Sequence, residues 1–169
     1  DDSKRLSPAR REELRPRIIE IVEAWHVEVV SPAEIDAVAA DHGLNRLEAD
    51  RMASLVDRCR GDVTYCDAPG PPESFAELLR ARATWRTRLV CRSRADSTYP
   101  AVAAASVLAK VARDEAIERL ASAHGEIGSG YPHDPKTIAF LVMRRGAFPS
   151  FVRKSWGTAR RLTEAARPG

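Results

Sequence analysis

The stretch Asp62-Val-Thr-Tyr-Cys-Asp67, followed by Ala68-Pro-Gly-Pro-Pro72, decides the fold class. Val, Thr and Tyr suit a pleated, half-buried surface, so the hexapeptide is predicted to be a strand. The Pro-Gly-Pro-Pro run cannot continue a strand and forces a turn. Beyond it, Glu73 to about Thr84 reads as a helix. Trp85 to Arg92 reads as a second strand, with Trp85, Leu89 and Cys91 apolar. A strand, a helix and a strand in this order imply parallel pairing through a helical crossover, the unit of an α/β layered domain.

The same reading extends in both directions. Ser7-Pro8 places a capping hydroxyl before a proline at the first helical position. The helix it opens is predicted to reach about Trp25, with Leu14, Ile18, Ile21 and Val22 on one face and a kink at Pro16. His26 to Val30 alternates weakly and reads as a short strand. Ser31-Pro32 opens a second helix ended by Gly43. Asn45 is expected to cap a third, Arg46 to Cys59, which Gly61 stops. Downstream, Arg94-Ala-Asp-Ser-Thr-Tyr-Pro100 runs into a long helix to about His124. Its first half, Ala101 to Ala109, is apolar nearly all round and is predicted to be buried. Its second half is amphipathic, with Ala112, Ala116 and Leu120 inward. Gly128 to Asp134 is a loop. Pro135 opens a helix carrying Ile138, Phe140, Leu141 and Val142, and a last helix follows Ser155. Three strands are few for six or so helices.

The chain has 169 residues, which fits one domain with its own core. Hydrophobic residues are 44% and charged residues 30%, a soluble globular composition. The longest apolar run, Ala101 to Ala105, is far too short to cross a bilayer. Asp1-Asp2-Ser3-Lys4-Arg5 does not read as a signal peptide. Cys59, Cys66 and Cys91 are an odd number without CxxC spacing. They argue against a disulfide framework and a zinc site, and a reducing cytoplasm is the expected location. A net charge of +3 is compatible with nucleic acid without indicating it. Only Lys4, Lys110, Lys136 and Lys154 are lysines, so most of the basic surface is guanidinium, which can grip phosphates bidentately.

Asp67 ends one strand before a Pro-Gly turn, and Asp96 follows the next strand. The carboxyl edge of an α/β sheet is where such folds place active sites. Two carboxylates converging there without His or Cys suit a hard cation such as Mg²⁺. Asp62 lies roughly 16 Å from Asp67 along the strand, and on its other face. Asp114 lies roughly 20 Å down the long helix. Neither can share a metal with the pair. Asp134 lies on a loop; it reads first as a helix cap before Pro135, with a place beside the acid pair as the alternative.

The segments Asp2-Ser-Lys-Arg-Leu-Ser-Pro8, Leu44-Asn-Arg-Leu-Glu48, Val63-Thr-Tyr-Cys-Asp-Ala68, the run Ala95 to Asp114, and Gly128-Ser-Gly-Tyr-Pro-His-Asp-Pro135 together resemble ribonuclease HII, the type 2 ribonuclease H. The interval from Asp67 to Asp96 is more like that of archaeal and eukaryotic members than of bacterial ones. The resemblance implies a ribonuclease H-like α/β fold with a C-terminal helical region. It divides the chain into a catalytic core, 1–125, and a junction-recognition loop with helices, 126–169, within one domain. It implies cleavage of RNA in RNA–DNA hybrids, and at ribonucleotides in duplex DNA, leaving 5′-phosphate and 3′-hydroxyl ends. The cofactor implied is a pair of divalent ions, Mg²⁺ or Mn²⁺, held by four acids, of which Asp67 and Asp96 match the third and fourth. The first two belong to an Asp-Glu-Ala-Gly-Arg-Gly motif that also reads the 2′-hydroxyl, and this sequence does not carry it. The expectation is therefore that the first strands lie before Asp1, and that the 169-residue chain alone does not cleave.

By the same resemblance Tyr131 meets the nucleotide at the RNA–DNA junction, Ser3 and Lys4 lie near the bound duplex, and Asn45 sits in a loop facing it. A Tyr in a Gly-rich loop offers a ring face and a hydroxyl donor, which suits a sugar 2′-hydroxyl. Lys110 and Arg113 read as solvated or ion-paired, and Trp156 as a helix anchor beside Arg153 and Lys154. The expected assembly is a cytoplasmic monomer, or one completed by a missing segment or second chain. The alternative reading is a catalytically inactive nucleic-acid-binding fragment of the same fold.

Overall fold

In the computed structural model, residues 6–41, 43–145 and 147–165 are described. Strands β1 (Val63–Asp67) and β2 (Arg88–Arg92) pair in parallel, from Val63 opposite Arg88 to Asp67 opposite Arg92. The ladder continues past both ends: Arg88 N–H donates to the Asp62 carbonyl at 2.9 Å, and Ala68 N–H to the Arg92 carbonyl at 3.0 Å. The crossover is helical, as parallel pairing requires. The helices are α1 (Pro8–Ile21), α2 (Pro32–Ala39), α3 (Leu44–Cys59), α4 (Pro72–Arg80, the crossover), α5 (Pro100–His124), α6 (Pro135–Met143) and α7 (Gly157–Glu164), with a 3₁₀ turn at Ala95–Ser97.

The chain divides into two compact units. The first comprises residues up to Glu28 and Asn45–Ala112. Its core lies where α3 and α4 cover the strand pair. Ala49, Cys66, Ala68 and Phe75 form one cluster; Ala53, Val56, Leu79 and Ala83 form the next. Ala49 and Ala53 are one helical turn apart on the same face of α3. Ala49 meets Cys66 of β1, and Ala53 meets Leu79 of α4. A third cluster packs Ile18 of α1 against Val107, Leu108 and Val111 of α5.

The second unit comprises Val29–Leu44 and Arg113–Gly169. Its core joins Ile127, Phe140, Leu141, Val152 and Ala159, with Ile117, Leu120, Phe151 and Trp156 packed around them. Asp36 on α2 accepts the Lys154 and Ser155 amides at 2.8 and 2.9 Å, so a carboxylate fastens the turn that precedes α7. Gly128 and Gly130 have φ of +70° and +71°. Asp134 caps α6, accepting the Lys136 amide, and also accepts the Ser129 amide.

Several expectations are corrected. His26–Val30 is not a strand, and among the described residues the sheet has two strands rather than three. A helix α1 that ends at Ile21 runs through Pro16 as one element, and Ile21 faces solvent. Asn45 lies inside the first turn of α3 instead of capping it, because the helix begins at Leu44. Trp85 is outside β2: its amide donates to Asp57 at 2.7 Å and its indole N–H to the Gly61 carbonyl at 3.1 Å, which commits its backbone to a cap. The first half of α5 is buried on one side only, with Ala101, Ala105 and Ala109 exposed. Exposing a methyl group costs little, so an all-alanine face does not compel burial. Ile138 and Val142 also face outward, while Phe140 and Leu141 are buried.

Asp134 is the clearest pH-sensitive group. The Ser129 amide and hydroxyl, followed by the Lys136 amide, hold its carboxyl down to about 2 against an ordinary 3.8. A depressed folded value means its stabilisation is complete above 3.8 and is lost as pH falls toward about 2. Asp134→Ala is expected to melt below the wild type at pH 7, with the gap narrowing through that acid window in thermal unfolding scans.

Candidate active site

Asp67 is the last residue of β1, and its carboxylate oxygen Oδ1 accepts the Ala95 amide at 3.0 Å. Ala95 opens the 3₁₀ turn and is fully buried. The chain reaches it through Arg94, held at φ +58°, a left-handed residue that reverses the backbone after β2. Asp96 is therefore one residue away from the amide bound to Asp67, and it is only 6% exposed. The turn is held on its far side as well: the rings of Tyr65, two residues before Asp67, and Tyr99 lie 4.5 Å apart. Neighbouring parallel strands thus deliver the two expected carboxylates to one end of the pair.

Two more polar groups stand at this end. A Cβ built on Gly70 would lie 3.3 Å from the Asn45 amide nitrogen, so Asn45 sits against the turn that follows Asp67. Glu48, one turn along α3, closes the Leu44-Asn-Arg-Leu-Glu48 segment and is the second. The protein packed around its carboxyl group and, second, the negative charge of Asp67 raise its pKa. Nothing in the local spelling of Leu44–Glu48 reveals this approach.

The donor chemistry at this end is oxygen. Burial pushes the Cys66 thiol well above its ordinary value, and burial also raises Cys91, so neither sulfur is a thiolate near neutral pH. Among the described residues, no group of three or more His, Cys, Asp or Glu converges as a metal cage. A carboxylate pair fits in kind a hard cation such as Mg²⁺, which keeps several waters and binds through one or two carboxylates plus substrate phosphate.

In the second unit, Tyr131 is half exposed, as a recognition residue needs. The guanidinium of Arg113 lies 3.9 Å from the centre of its ring, and Arg113 Nη2 donates to the Ser129 carbonyl at 2.8 Å. Sequence spacing gave Arg113 no more than a solvated or ion-paired role. It does contact Asp114 at 3.3 Å, but its larger engagement is with the tyrosine loop. Ser3 and Lys4 lie outside the described residues.

The strand pair, its helical layers and the carboxylates at its end make this an α/β fold of the ribonuclease H-like class. The family model for ribonuclease HII matches residues 1–159. Ribonuclease HII of Pyrococcus horikoshii is 39% identical over 98% of this chain and 77% of its own length. That of Thermococcus sibiricus is 41% identical over 96% and 75%. The crystal structure of the ribonuclease H2 from Pyrococcus horikoshii superposes with a TM-score of 0.85, at 39% identity, covering 97% of this chain and 80% of that one. The ribonuclease HII of Archaeoglobus fulgidus, solved in complex with PCNA, superposes at 0.84 with 38% identity, over 95% of this chain and 78% of that one. The chain belongs to the ribonuclease HII family, a family of endonucleases of RNA–DNA hybrids. No helix among the described residues is long and apolar enough to cross a membrane.

The Glu48–Asp67 approach has a measurable consequence. An acid whose folded pKa is raised is destabilising once ionised, so the penalty is absent below its ordinary value of 4.5 and complete above the raised one. Without added divalent cation, Glu48→Gln is expected to melt above the wild type at pH 7 and level with it at about pH 3.5. Thermal scans at the two pH values check this.

Proposed function

We propose that the protein is an endoribonuclease that hydrolyses the RNA strand of RNA–DNA hybrids and cuts at ribonucleotides embedded in duplex DNA, leaving 5′-phosphate and 3′-hydroxyl ends. The observation that supports this reading is the Asp67–Ala95 hydrogen bond, which ties the end of β1 to the turn that carries Asp96.

Asp67 and Asp96 are the residues that would hold the divalent ions, Mg²⁺ or Mn²⁺. Bound there, such ions supply Lewis acidity at the attacking water and at the leaving 3′ oxygen of an in-line displacement. The protein's part is orientation. The Ala95 amide fixes the rotamer of the Asp67 carboxylate, so its second oxygen is held in one direction before substrate arrives. Burial of Asp96 in the 3₁₀ turn restricts that side chain equally. A preset donor pair needs no reorganisation during the reaction. Asn45, beside the turn after β1, can donate its amide to a phosphate oxygen. Tyr131 offers a hydroxyl and one ring face to a ribose. Ser3 and Lys4 complete the set as phosphate-binding residues on the strength of the family segment alone. The reading also takes the protein to be cytoplasmic and monomeric.

The test is cleavage by the full-length protein with Mg²⁺ or Mn²⁺. Asp67→Asn and Asp96→Asn are each expected to lower kcat on the order of 10²-fold or more while hybrid affinity, read by anisotropy, changes little. Cleavage at the wild-type rate by both variants overturns the site. A wild-type protein that binds hybrids and cuts none establishes instead a binding protein of the same fold.

A further inference from the structure

We infer that Arg113 is a positioning residue for Tyr131 and decides which face of the tyrosine ring meets the sugar. This rests on the reading of Tyr131 as the residue that contacts the ribonucleotide.

The tyrosine ring is held by Arg113, and the loop that carries it is held by its backbone. The Arg113 guanidinium lies 3.9 Å from the ring centre. Its in-plane donors are engaged elsewhere: Nη2 with the Ser129 carbonyl at 2.8 Å, Nη1 with Asp114 at 3.3 Å. With those donors bonded, the guanidinium stays over the ring, an arrangement a compact ammonium cannot reproduce. In the loop backbone, Asp134 accepts the Ser129 amide and Thr137 Oγ1 accepts the Gly130 amide at 3.0 Å. Thr137 is itself buried and donates to the Ile127 carbonyl at 3.0 Å. The Tyr131 carbonyl accepts the Asp134 amide at 3.1 Å. Every residue from Ser129 to Tyr131 therefore has its backbone tied down, while the Tyr131 ring remains half exposed.

The two glycines of Gly128-Ser-Gly130 are explained by the same arrangement. A Cβ at Gly130 would stand 2.7 Å from Ile117 Cδ1 and 3.1 Å from Arg113 Nη2. A Cβ at Gly128 would stand 2.5 Å from both Asp134 Oδ2 and the Thr137 amide. The loop thus lies directly on α5 and on the start of α6, with room for the arginine and none for a side chain.

With one face covered by Arg113, the ring offers only its opposite face and its hydroxyl. A tyrosine preset in this way loses less rotamer freedom when substrate binds than one free to swing. Arg113 touches no substrate in this scheme, and its effect passes entirely through Tyr131. That dependence separates a positioning role from a general contribution to stability.

The experiment is a double-mutant cycle in the full-length protein, read as kcat and KM on a DNA duplex carrying one ribonucleotide. Arg113→Gln is expected to lower kcat roughly tenfold with KM little changed. Arg113→Lys, which keeps charge but not the flat face, recovers only part of that loss. The decisive result is that Arg113→Gln combined with Tyr131→Ala loses no more than Tyr131→Ala alone. Losses that multiply, or a wild-type rate for Arg113→Gln beside an impaired Tyr131→Ala, overturn the positioning role while leaving the tyrosine's role standing. A wild-type rate for Tyr131→Ala overturns the reading of the tyrosine and this inference with it. Thermal melts accompany each variant; if Arg113→Gln does not fold, the same cycle is run with Arg113→Lys and the same outcomes decide.

Discussion

The Ala95 amide donating to Asp67 Oδ1 ties the end of β1 to the turn that follows β2. Parallel pairing alone brings Asp67 opposite Arg92, three residues short of Ala95. The intervening reversal needs Arg94 in a left-handed conformation, which is unfavourable for a residue with a side chain. The hydrogen bond to a carboxylate, a strong acceptor, helps offset that cost. It also links local backbone geometry to the site, since the group that closes the turn is one of the two acids. The tilted contact of Tyr65 with Tyr99 and the buried Ala95 support the same turn from packing.

The helix beside this edge is placed by what it lacks. Ala49 and Ala53 are almost wholly buried against Cys66 and Leu79, and bulkier residues there would overpack this core. Glu48 stands at this edge, where the protein packed around its carboxyl group and, second, the negative charge of Asp67 raise its pKa. Such crowding is tolerable where a cation shares the space and is a burden where none does. In the second unit the same economy appears in the loop, where Gly128 and Gly130 replace side chains with direct contact to Asp134, Thr137, Ile117 and Arg113.

The elements that failed in the sequence reading failed for identifiable reasons. His26–Val30 alternates like a strand, but alternation states only that two faces differ; pairing needs a neighbour, and here none is present among the described residues. Trp85 has strand propensity and is captured by the Asp57 carboxylate, a contact 28 residues away. Asn45 is a good capping residue at a position where the helix has already begun. Ala101–Ala109 is apolar without being bulky, so its outer face carries little drive to be covered.

What the sequence determined by itself is the local alphabet: a strand at Val63–Asp67, its partner at Arg88–Arg92, the proline-opened helices, the Asp134 cap and the two acids after consecutive strands. Each follows from interactions within a few residues, or from the requirement that parallel strands be joined by a crossover. Only the tertiary structure decided which side chains stand beside those acids and that tyrosine. Glu48 lies 19 positions from Asp67, and Arg113 lies 18 from Tyr131, with no fixed period connecting them. Their approach is set by how closely a helix can lie on a strand or a loop on a helix. That distance is fixed by tertiary packing, as at Gly128 and Gly130 where the loop meets Asp134, Thr137, Ile117 and Arg113, and no spacing along the chain encodes it.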